Sequence, residues 1–569
     1  MFFSNLFPSI KREFSSQADL ISHKLMLRAG LIDKLSSGTY IWLPIGFIVL
    51  KKIENIIRSE MNKIGYYEIF MPVLQPAFLW KKTERWDKFG AELLKLTNRL
   101  GQEFCLGPTH EEVITNLVSS RLSSYKELPL KFYQIQTKFR DEIRSRFGVM
   151  RAKEFLMKDA YSFHISYECF KKSYNDVREA YVNIFNILKL SFKIVNANSG
   201  NIGDGLSQEF HVLSDSGEDD IVYSSVGDYA SNMELAERFK ILSNKNQEVF
   251  MPRRLVCTLG VKTISQLSEY FNVDKKKILK TIFVKGIKDE RIVCLLLRGD
   301  HVVNKLKVER SGFISIPYTL INEDDILNSI GCESGFLGPI GLNNFVIIAD
   351  YDVLDMVNFI CGANLDNKHY VDVNWGIDCV KPDNVLDIRY VVIGDKDPIS
   401  NNCLIIRKGI EVGHIFELGV KYSKALNAFT HDISGKKIDL YMGCYGIGVS
   451  RLVAAIIEQS HDKYGIVWPE SVSPFRIAIV FISNKDSDFV RDYAFKIYNK
   501  LIGMSIDVLF YDKKDYLSLI LKNIDLIGIP HRIIINDNTI ITNKFEYKFR
   551  SKDAIKFIDF LELMSILIY

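Results

Sequence analysis

Apolar positions recur at helical spacing through residues 20–64, and the run closes in an amphipathic helix over 51–61 that stops at Gly65. The next stretch, 66–73, reads as a strand with Pro72 near its end, where proline is tolerated. Two further strands, 132–135 and 154–158, flank a polar loop carrying Arg144, Arg146 and Arg151. Between 226 and 405 the texture changes: strands at 281–284, 292–297 and 345–348 alternate with helical patterns and glycine turns, enough chain for a core of its own. From Pro474 onward, strand 476–482, helix 488–502, strand 507–511 and the apolar run 533–535 alternate, which predicts a mixed α/β domain with a largely parallel sheet.

At 569 residues the chain exceeds what one core supports, and about three or four domains are expected. A hydrophobic content of 47% and a charged content of 25% are those of ordinary globular proteins. The net charge of +4 is too small to announce nucleic-acid binding, so any RNA contact must rest on local basic patches. Nine cysteines without a Cys-x-x-Cys pair argue against a structural zinc site and a disulfide framework, and point to a reducing compartment. The early apolar run 40–50 is broken by Pro44 and Gly46 and is too short to span a bilayer, so a cytoplasmic location is expected.

The densest chemistry lies in FYQIQTKFRDEIRSRFGVMRAKEFLMKDAYSFH, residues 132–164. An antiparallel pair joined by a basic loop sets guanidiniums over one surface, and guanidinium grips phosphate or carboxylate oxygens in bidentate fashion. Phe155 follows the last arginine and offers a face to a planar base. Taken alone, the segment is also compatible with a solvated surface hairpin. Its wording resembles motif 2 of the class II aminoacyl-tRNA synthetases, and that of the bacterial-type prolyl-tRNA synthetases in particular. Two further motifs appear in order. GYYEIFMPVLQP resembles motif 1, which in the family forms the dimer interface, and GCYGIGVSRL (443–452), running into a helix, resembles motif 3.

The resemblance implies a set of roles. Arg140 would hold the α-phosphate of ATP, and Arg151 and Arg451 the distal phosphates; Arg451 would lie against the adenine opposite Phe155. Glu142 joins Arg140 and Arg451 among the catalytic residues, and Glu417 joins the ATP site, although the family usually has glutamine there and a carboxylate cannot donate. In GPTHEE (107–112), Thr109 and Glu111 would take the secondary ammonium of proline, with His164 and Cys444 in the same pocket. Thr109 with Glu112 three residues on also reads as a capping box, which would fix the loop that carries Glu111. A lone His164 is more often a satisfied core residue than a ligand. The reaction needs no protein nucleophile: the proline carboxylate attacks the α-phosphate, and a tRNA 3′-terminal hydroxyl takes the prolyl group. Catalysis is then positioning and charge neutralisation, with Mg²⁺ accompanying the nucleotide and no dedicated protein metal site.

A pocket for proline excludes alanine poorly, because a smaller substrate enters any site built for a larger one. The 226–405 segment resembles the family's editing domain, which hydrolyses alanyl-tRNA. Lys280 would pair with a phosphate near the tRNA end, the loop Gly335 to Pro339 would offer backbone N–H groups to the ester, and His369 would bound the alanine pocket, with Asp350 also assigned there. The last domain resembles the class IIa anticodon-binding fold. It lacks the usual Arg and Pro-Gly after the Asp pair, leaving Lys513, Lys514, Arg532, Lys548 and Arg550 to contact phosphates.

The expected protein is therefore an α/β multidomain chain: an antiparallel-sheet catalytic domain in two parts (1–225 and 406–473), an inserted α/β editing domain (226–405) and a mixed α/β anticodon-binding domain (474–569). Expected partners are tRNA(Pro), proline, ATP and a second copy of the chain. Two rivals stay open, a catalytically dead relative that only binds tRNA and a class II enzyme for threonine or glycine.

Overall fold

The computed structural model describes residues 1–6, 10, 19–143, 147–200, 202–203, 205–239, 249–287, 292–342, 345–482 and 488–568. Arg144 and Arg146 lie outside the described residues. The chain parts into two compact units, one of residues 1–194, 199–219 and 408–569, the other of 195–198 and 220–407.

In the first unit, helix α1 (Pro44–Lys63) begins on a proline, whose fixed φ suits the first helical turn and whose missing N–H would have had no partner there. It buries Val49, Ile53, Ile57 and Met61 completely, one per turn. The helical reading of 20–64 holds only at its two ends. A helix over Ile21–Arg28 and α1 are separated by a hairpin, Ile32–Ser36 with Thr39–Trp42, turning through Gly38. The Ser-Ser-Gly-Thr turn overrode the apolar period. The strand expected at 66–73 also shrinks to β1 (Tyr67–Glu68). Pro72 has no N–H to give a ladder, and Leu74–Pro76 pairs instead with Glu103–Leu106 in a separate small sheet.

The central sheet uses β1, β2 (Leu130–Phe139), β3 (Glu154–His164), β4 (Ser207–Leu213), β5 (Leu404–Gly419) and β6 (Tyr441–Gly448). These six strands of a nine-stranded sheet run in the order β4, β5, β6, β3, β2, β1, and among them only β1 beside β2 is parallel. β2 and β3 pair over ten residues, from Leu130 opposite Phe163 to Phe139 opposite Glu154. Helix α3 (Tyr167–Ile187) covers the back of this sheet and shares one core with α1 and with α4 (Val449–Gln459): Val177, Tyr181 and Ile184 are buried with Ile53, Ile57, Ile415, Tyr445 and Ile447. Between them in sequence lies α2 (Glu111–Arg121), which presents the start of its first turn to the front of the sheet. Side chains alternate across a strand, so one face of β3 (Leu156, Lys158, Ser162, His164) belongs to the back, and the other (Phe155, Met157, Asp159) is left for a site.

The C-terminal part of the same unit carries three parallel strands, Val508–Tyr511, Ile477–Phe481 and His531–Ile535, with Phe545–Phe549 and Ile555–Ile558 added antiparallel. The mixed α/β arrangement is as the alternation predicts, but the sheet is parallel in only two of its four pairings. Two arginines expected to reach phosphates are engaged inside the protein. Arg550 makes a bidentate pair with Asp462 (2.7 Å twice) and Arg532 donates to Asp525 (3.3 Å).

The second unit is built on a four-stranded sheet, Leu279–Lys285, Ile292–Arg298, Val346–Asp350 and Asn384–Leu386, of which the first pair is antiparallel and the rest parallel. Both faces of Ile292–Arg298 are covered: Cys294 and Leu296 join one apolar cluster, Val293, Leu295 and Leu297 another. That is why the strand reads as an unbroken apolar run. A three-stranded antiparallel sheet, Arg254–Cys257, Lys368–Val373 and Phe359–Gly362, completes the unit. Among the described residues, no helix is long and apolar enough to cross a membrane.

Candidate active site

A cavity of about 310 Å³ opens on the front of the central sheet, and its two ends differ in charge. At one end guanidiniums converge. Arg140, at the end of β2, is held by its backbone N–H to the Lys153 carbonyl (2.8 Å), and its guanidinium lies over the Phe155 ring, 5.4 Å from the centroid. Its Nε has no hydrogen-bond partner among the described residues. Burial, and then the charge of Arg451, pull the Arg140 pKa below its usual value. Arg451, in the first turn of α4, donates to the carbonyls of Met150 (2.9 Å) and Glu411 (2.6 Å). Arg151 is clamped between Glu142 (2.9 Å) and Glu218 (2.8 Å). Two cations that push on each other across a cavity, one with a free donor, make a site for an anion. An adjoining cavity of about 260 Å³, lined by Arg140, Arg151, Glu218, Glu411 and Arg451, extends it. Ligand atoms of Glu209, Glu411 and His414 lie within 4.8 Å of one another here and could hold a hard cation.

The other end is acidic. Glu111 Oε1 accepts from the Thr109 hydroxyl (2.7 Å) and the Cys444 thiol (3.1 Å), while Oε2 faces Arg85 Nη1 (3.3 Å). All four residues are buried and line the cavity. The capping box expected here does not form. Helix α2 starts at Glu111 behind His110, no side chain caps it among the described residues, the Thr109 hydroxyl is engaged with Glu111, and Glu112 accepts from Arg85 and Thr83. Asp159, which the sequence reading passed over, reaches the cavity from β3. It is held by Lys138 (2.8 Å), Gln134 (2.9 Å) and Tyr161 (2.8 Å). Burial pushes its carboxyl up, but Lys138 and His110 outweigh that and keep it below the usual range. The signal was present: Asp159 stands two and four residues from Met157 and Phe155, the face that already carried the aromatic.

The profile of the tRNA synthetase class II core domain (G, H, P, S and T) matches residues 94–460, and that of the anticodon binding domain matches 476–568. The chain belongs to the class II tRNA synthetases. The fold agrees. A Giardia lamblia prolyl-tRNA synthetase in complex with prolyl-adenylate is 15% identical with a TM-score of 0.58, covering 95% of this chain and 74% of that one. A Cryptosporidium parvum prolyl-tRNA synthetase complexed with halofuginone and AMPPNP is 12% identical with a TM-score of 0.59, covering 98% and 78%.

Within this class II synthetase, two residues expected in the cavity are elsewhere. Glu417 follows Phe416, which lines the cavity, so strand alternation turns its side chain to the back of the sheet; there it shares a groove with Tyr167, Phe170 and Tyr174, near the N–H of Leu206 (3.4 Å). His164 lies on the back face of β3 by the same parity, its Nδ1 3.2 Å from Cys169 Sγ and its ring edge-on to Phe170. Burial pushes its pKa down to about 4, so it is a neutral core residue. Arg140 lies against the Phe155 ring, while Arg451 is bonded to backbone carbonyls.

In the second unit of the synthetase the five expected editing residues fall into two groups. His369 accepts or donates at Nδ1 with the Thr258 hydroxyl (2.6 Å), stands edge-on to Phe336, and bonds the Gly335 backbone; burial lowers its pKa to about 4. The loop that runs on to the buried Pro339 packs so tightly that a Cβ on Gly338 would stand 1.9 Å from the Gly362 carbonyl oxygen. Lys280 and Asp350 belong to a different cluster. Lys280 Nζ donates to the His301 carbonyl (2.6 Å). Asp350 is fully buried against Arg238 (2.6 Å) and the Ile388 N–H (3.2 Å), with Arg389 3.6 Å away. The Lys280 bond uses one of the three donors of its ammonium.

Proposed function

We propose that this synthetase ligates proline to tRNA(Pro) through a prolyl-adenylate. The observation that carries the reading is one cavity with a cluster of guanidiniums at one end and the Thr109–Glu111–Cys444 group at the other, charges complementary to a nucleotide phosphate and an amino-acid ammonium. The solved relatives of the same fold are prolyl-tRNA synthetases, one holding prolyl-adenylate and one AMPPNP, which supports the same substrates here. Arg140 neutralises charge growing on the α-phosphate, Arg151 and Arg451 steady the distal phosphates, Glu142 orients Arg151, and Phe155 offers its face to the adenine. Glu111 receives the ammonium, and Thr109 and Cys444 hold its carboxylate still. When Mg²⁺ is bound it neutralises phosphate oxygens, and the carboxylates of Glu209 and Glu411 suit it as hard oxygen donors.

The rest of the reading is the division into catalytic (1–225 and 406–473), inserted (226–405) and anticodon-binding (474–569) segments, a bacterial-type enzyme acting in the cytoplasm as a homodimer, and hydrolysis of alanyl-tRNA(Pro) by the insert. Exposed Tyr67, Phe70 and Leu74 around the motif 1 segment support the dimer, because apolar side chains of that size in one short segment favour a covered face. Proline-driven ATP–pyrophosphate exchange tests the central reading: exchange with proline and not with threonine or glycine is expected, and its absence with retained tRNA binding would leave the tRNA-binding relative. Lys280→Ala tests the insert. Deacylation of preformed alanyl-tRNA(Pro) should slow while prolyl transfer stays near normal; no hydrolysis above the spontaneous rate by the unmutated protein would make the insert structural.

A further inference from the structure

Arg85 is a full positive charge buried inside the acidic end of the cavity, and the reaction gives it no task. It is 2% exposed, and one nitrogen, Nη1, faces two consecutive carboxylates, Glu111 at 3.3 Å and Glu112 at 2.9 Å. Its guanidinium is boxed by the faces of Trp80, Phe89 and Tyr422 at 4.9, 5.6 and 5.4 Å. Aromatic faces steady a cation without supplying countercharge, so the carboxylates supply all of it. Glu112 is itself completely buried, its second partner is the neutral Thr83 hydroxyl (2.9 Å), and it does not line the cavity. Both glutamates stand in the first turn of α2, where the helix dipole favours negative charge. Burial first, and the neighbouring Glu111 charge, hold the Glu112 pKa above its usual value, and Arg85 opposes them. A further carboxylate of the cavity, Asp159, is matched by Lys138 at 2.8 Å.

Two carboxylates and one guanidinium leave this end of the cavity with one unmatched negative charge. We propose that Arg85 and Glu112 are a charge-setting pair: with Glu111 they hold the amino-acid pocket at a net charge of one negative, the complement of a single substrate ammonium. Without Glu112, Arg85 would satisfy Glu111 by itself and the ammonium would meet a neutral site. Without Arg85, two buried adjacent carboxylates would repel, and the pair would take up a proton or shift. Arg85 and Glu112 are positioning residues that act through Glu111. The proposal rests on the reading in which Glu111 receives the ammonium, and it reaches beyond the residues that touch substrate.

The test is a cycle of four proteins, unmutated, Glu112→Gln, Arg85→Met and the double variant, read by the KM for proline and for ATP in pyrophosphate exchange. Each single variant should raise the proline KM by about tenfold or more, the loss of one charge-assisted contact. The double variant restores one carboxylate and no guanidinium, so its proline KM should return to within about threefold of the unmutated value. The KM for ATP should hold in all four. A proline KM unchanged by Glu112→Gln overturns the proposal, as does a double variant worse than either single one, the mark of a merely structural pair. If Arg85→Met does not fold, the near-isosteric Glu112→Gln decides alone. If another amino acid and not proline drives exchange in the unmutated protein, the proline reading fails, and the same cycle run with that amino acid judges the charge-setting pair separately, since the ammonium is common to all.

Discussion

The two clusters of charged residues in this synthetase are built on opposite rules. In the cavity on the central sheet, Arg140 keeps an unpartnered donor, Arg140 and Arg451 repel each other, and Glu111 has accepted only neutral donors on one oxygen. In the buried cluster around Arg238 and Arg389 of the inserted unit, charge is answered by charge. Arg238 meets Asp350, Asp352 and Asp387 (2.6, 2.8 and 3.3 Å), and Arg389 holds Asp395 with two bonds of 2.7 Å. A buried polar group left unsatisfied is costly, so where one persists a ligand has a reason to bind. A closed ion lattice gives no such reason. The comparison separates charges kept for a substrate from charges that hold a fold together.

The largest expected effect breaks the open cluster. Arg140→Ala should lower the rate of proline-driven pyrophosphate exchange by about a thousandfold or more, the scale of losing a donor aimed at charge that develops in the transition state. Circular dichroism and tRNA affinity should hold. Near-normal exchange in that variant would sink the assignment of the cationic end. The matching break in the closed lattice is Asp350→Ala. Removing one member of a buried ion network costs about 3 kcal/mol or more, at the low end here because Asp352 and Asp387 still meet Arg238. Amide exchange across Leu279–Lys285 and Ile292–Arg298 should speed up accordingly. Pyrophosphate exchange should stay within about twofold, because additivity holds for sites without shared partners.

How much of this was legible in the sequence follows from the same contrast. The antiparallel pair at 132–158 and the helix after GIGVSRL read correctly because local period and core demand agree there. The hairpin at Ile32–Trp42 was hidden because its apolar positions also fit a helix. Glu417 and His164 were misplaced because a motif gives residue order, and only strand parity gives the face. Arg85 was invisible for another reason. Its partners Glu111 and Glu112 lie some 26 residues on, and nothing in the spacing of ERW and HEE declares a contact.

A smaller effect sharpens the comparison inside the cavity. Glu111→Ala should raise the proline KM about thirtyfold, the equivalent of roughly 2 kcal/mol for a charge-assisted contact, and leave the ATP KM nearly unchanged. Equal rises in both constants would mean that the start of α2 had collapsed. The control is Glu417→Gln, on the other face of the same sheet. Its ATP and proline constants should match the unmutated protein, and a rise in the ATP KM would return Glu417 to the nucleotide.

The smallest expected effect concerns the histidine that turned out to be core. His164 is held neutral by burial first and by Lys131 second, with its pKa pushed down to about 4 against an ordinary 6.5. Between those values the unfolded chain binds a proton that the folded chain refuses. Stability from this group is therefore present above about pH 6.5 and is lost as pH falls through the window toward 4. His110, His301 and His369 are depressed to about 4 as well and contribute with the same sign, while Asp350, pushed up to about 6 by burial, works against them. His164→Asn should lower the slope of melting temperature against pH by at most about one proton's share and leave melting near pH 7.5 to the packing change alone. Pyrophosphate exchange compared at pH 7.5 should be close to normal, because the side chain faces α3 and not the cavity. A melting slope identical to the unmutated protein between pH 4 and 6.5 would mean that His164 is protonated in the folded chain, and a raised proline KM would return it to the pocket.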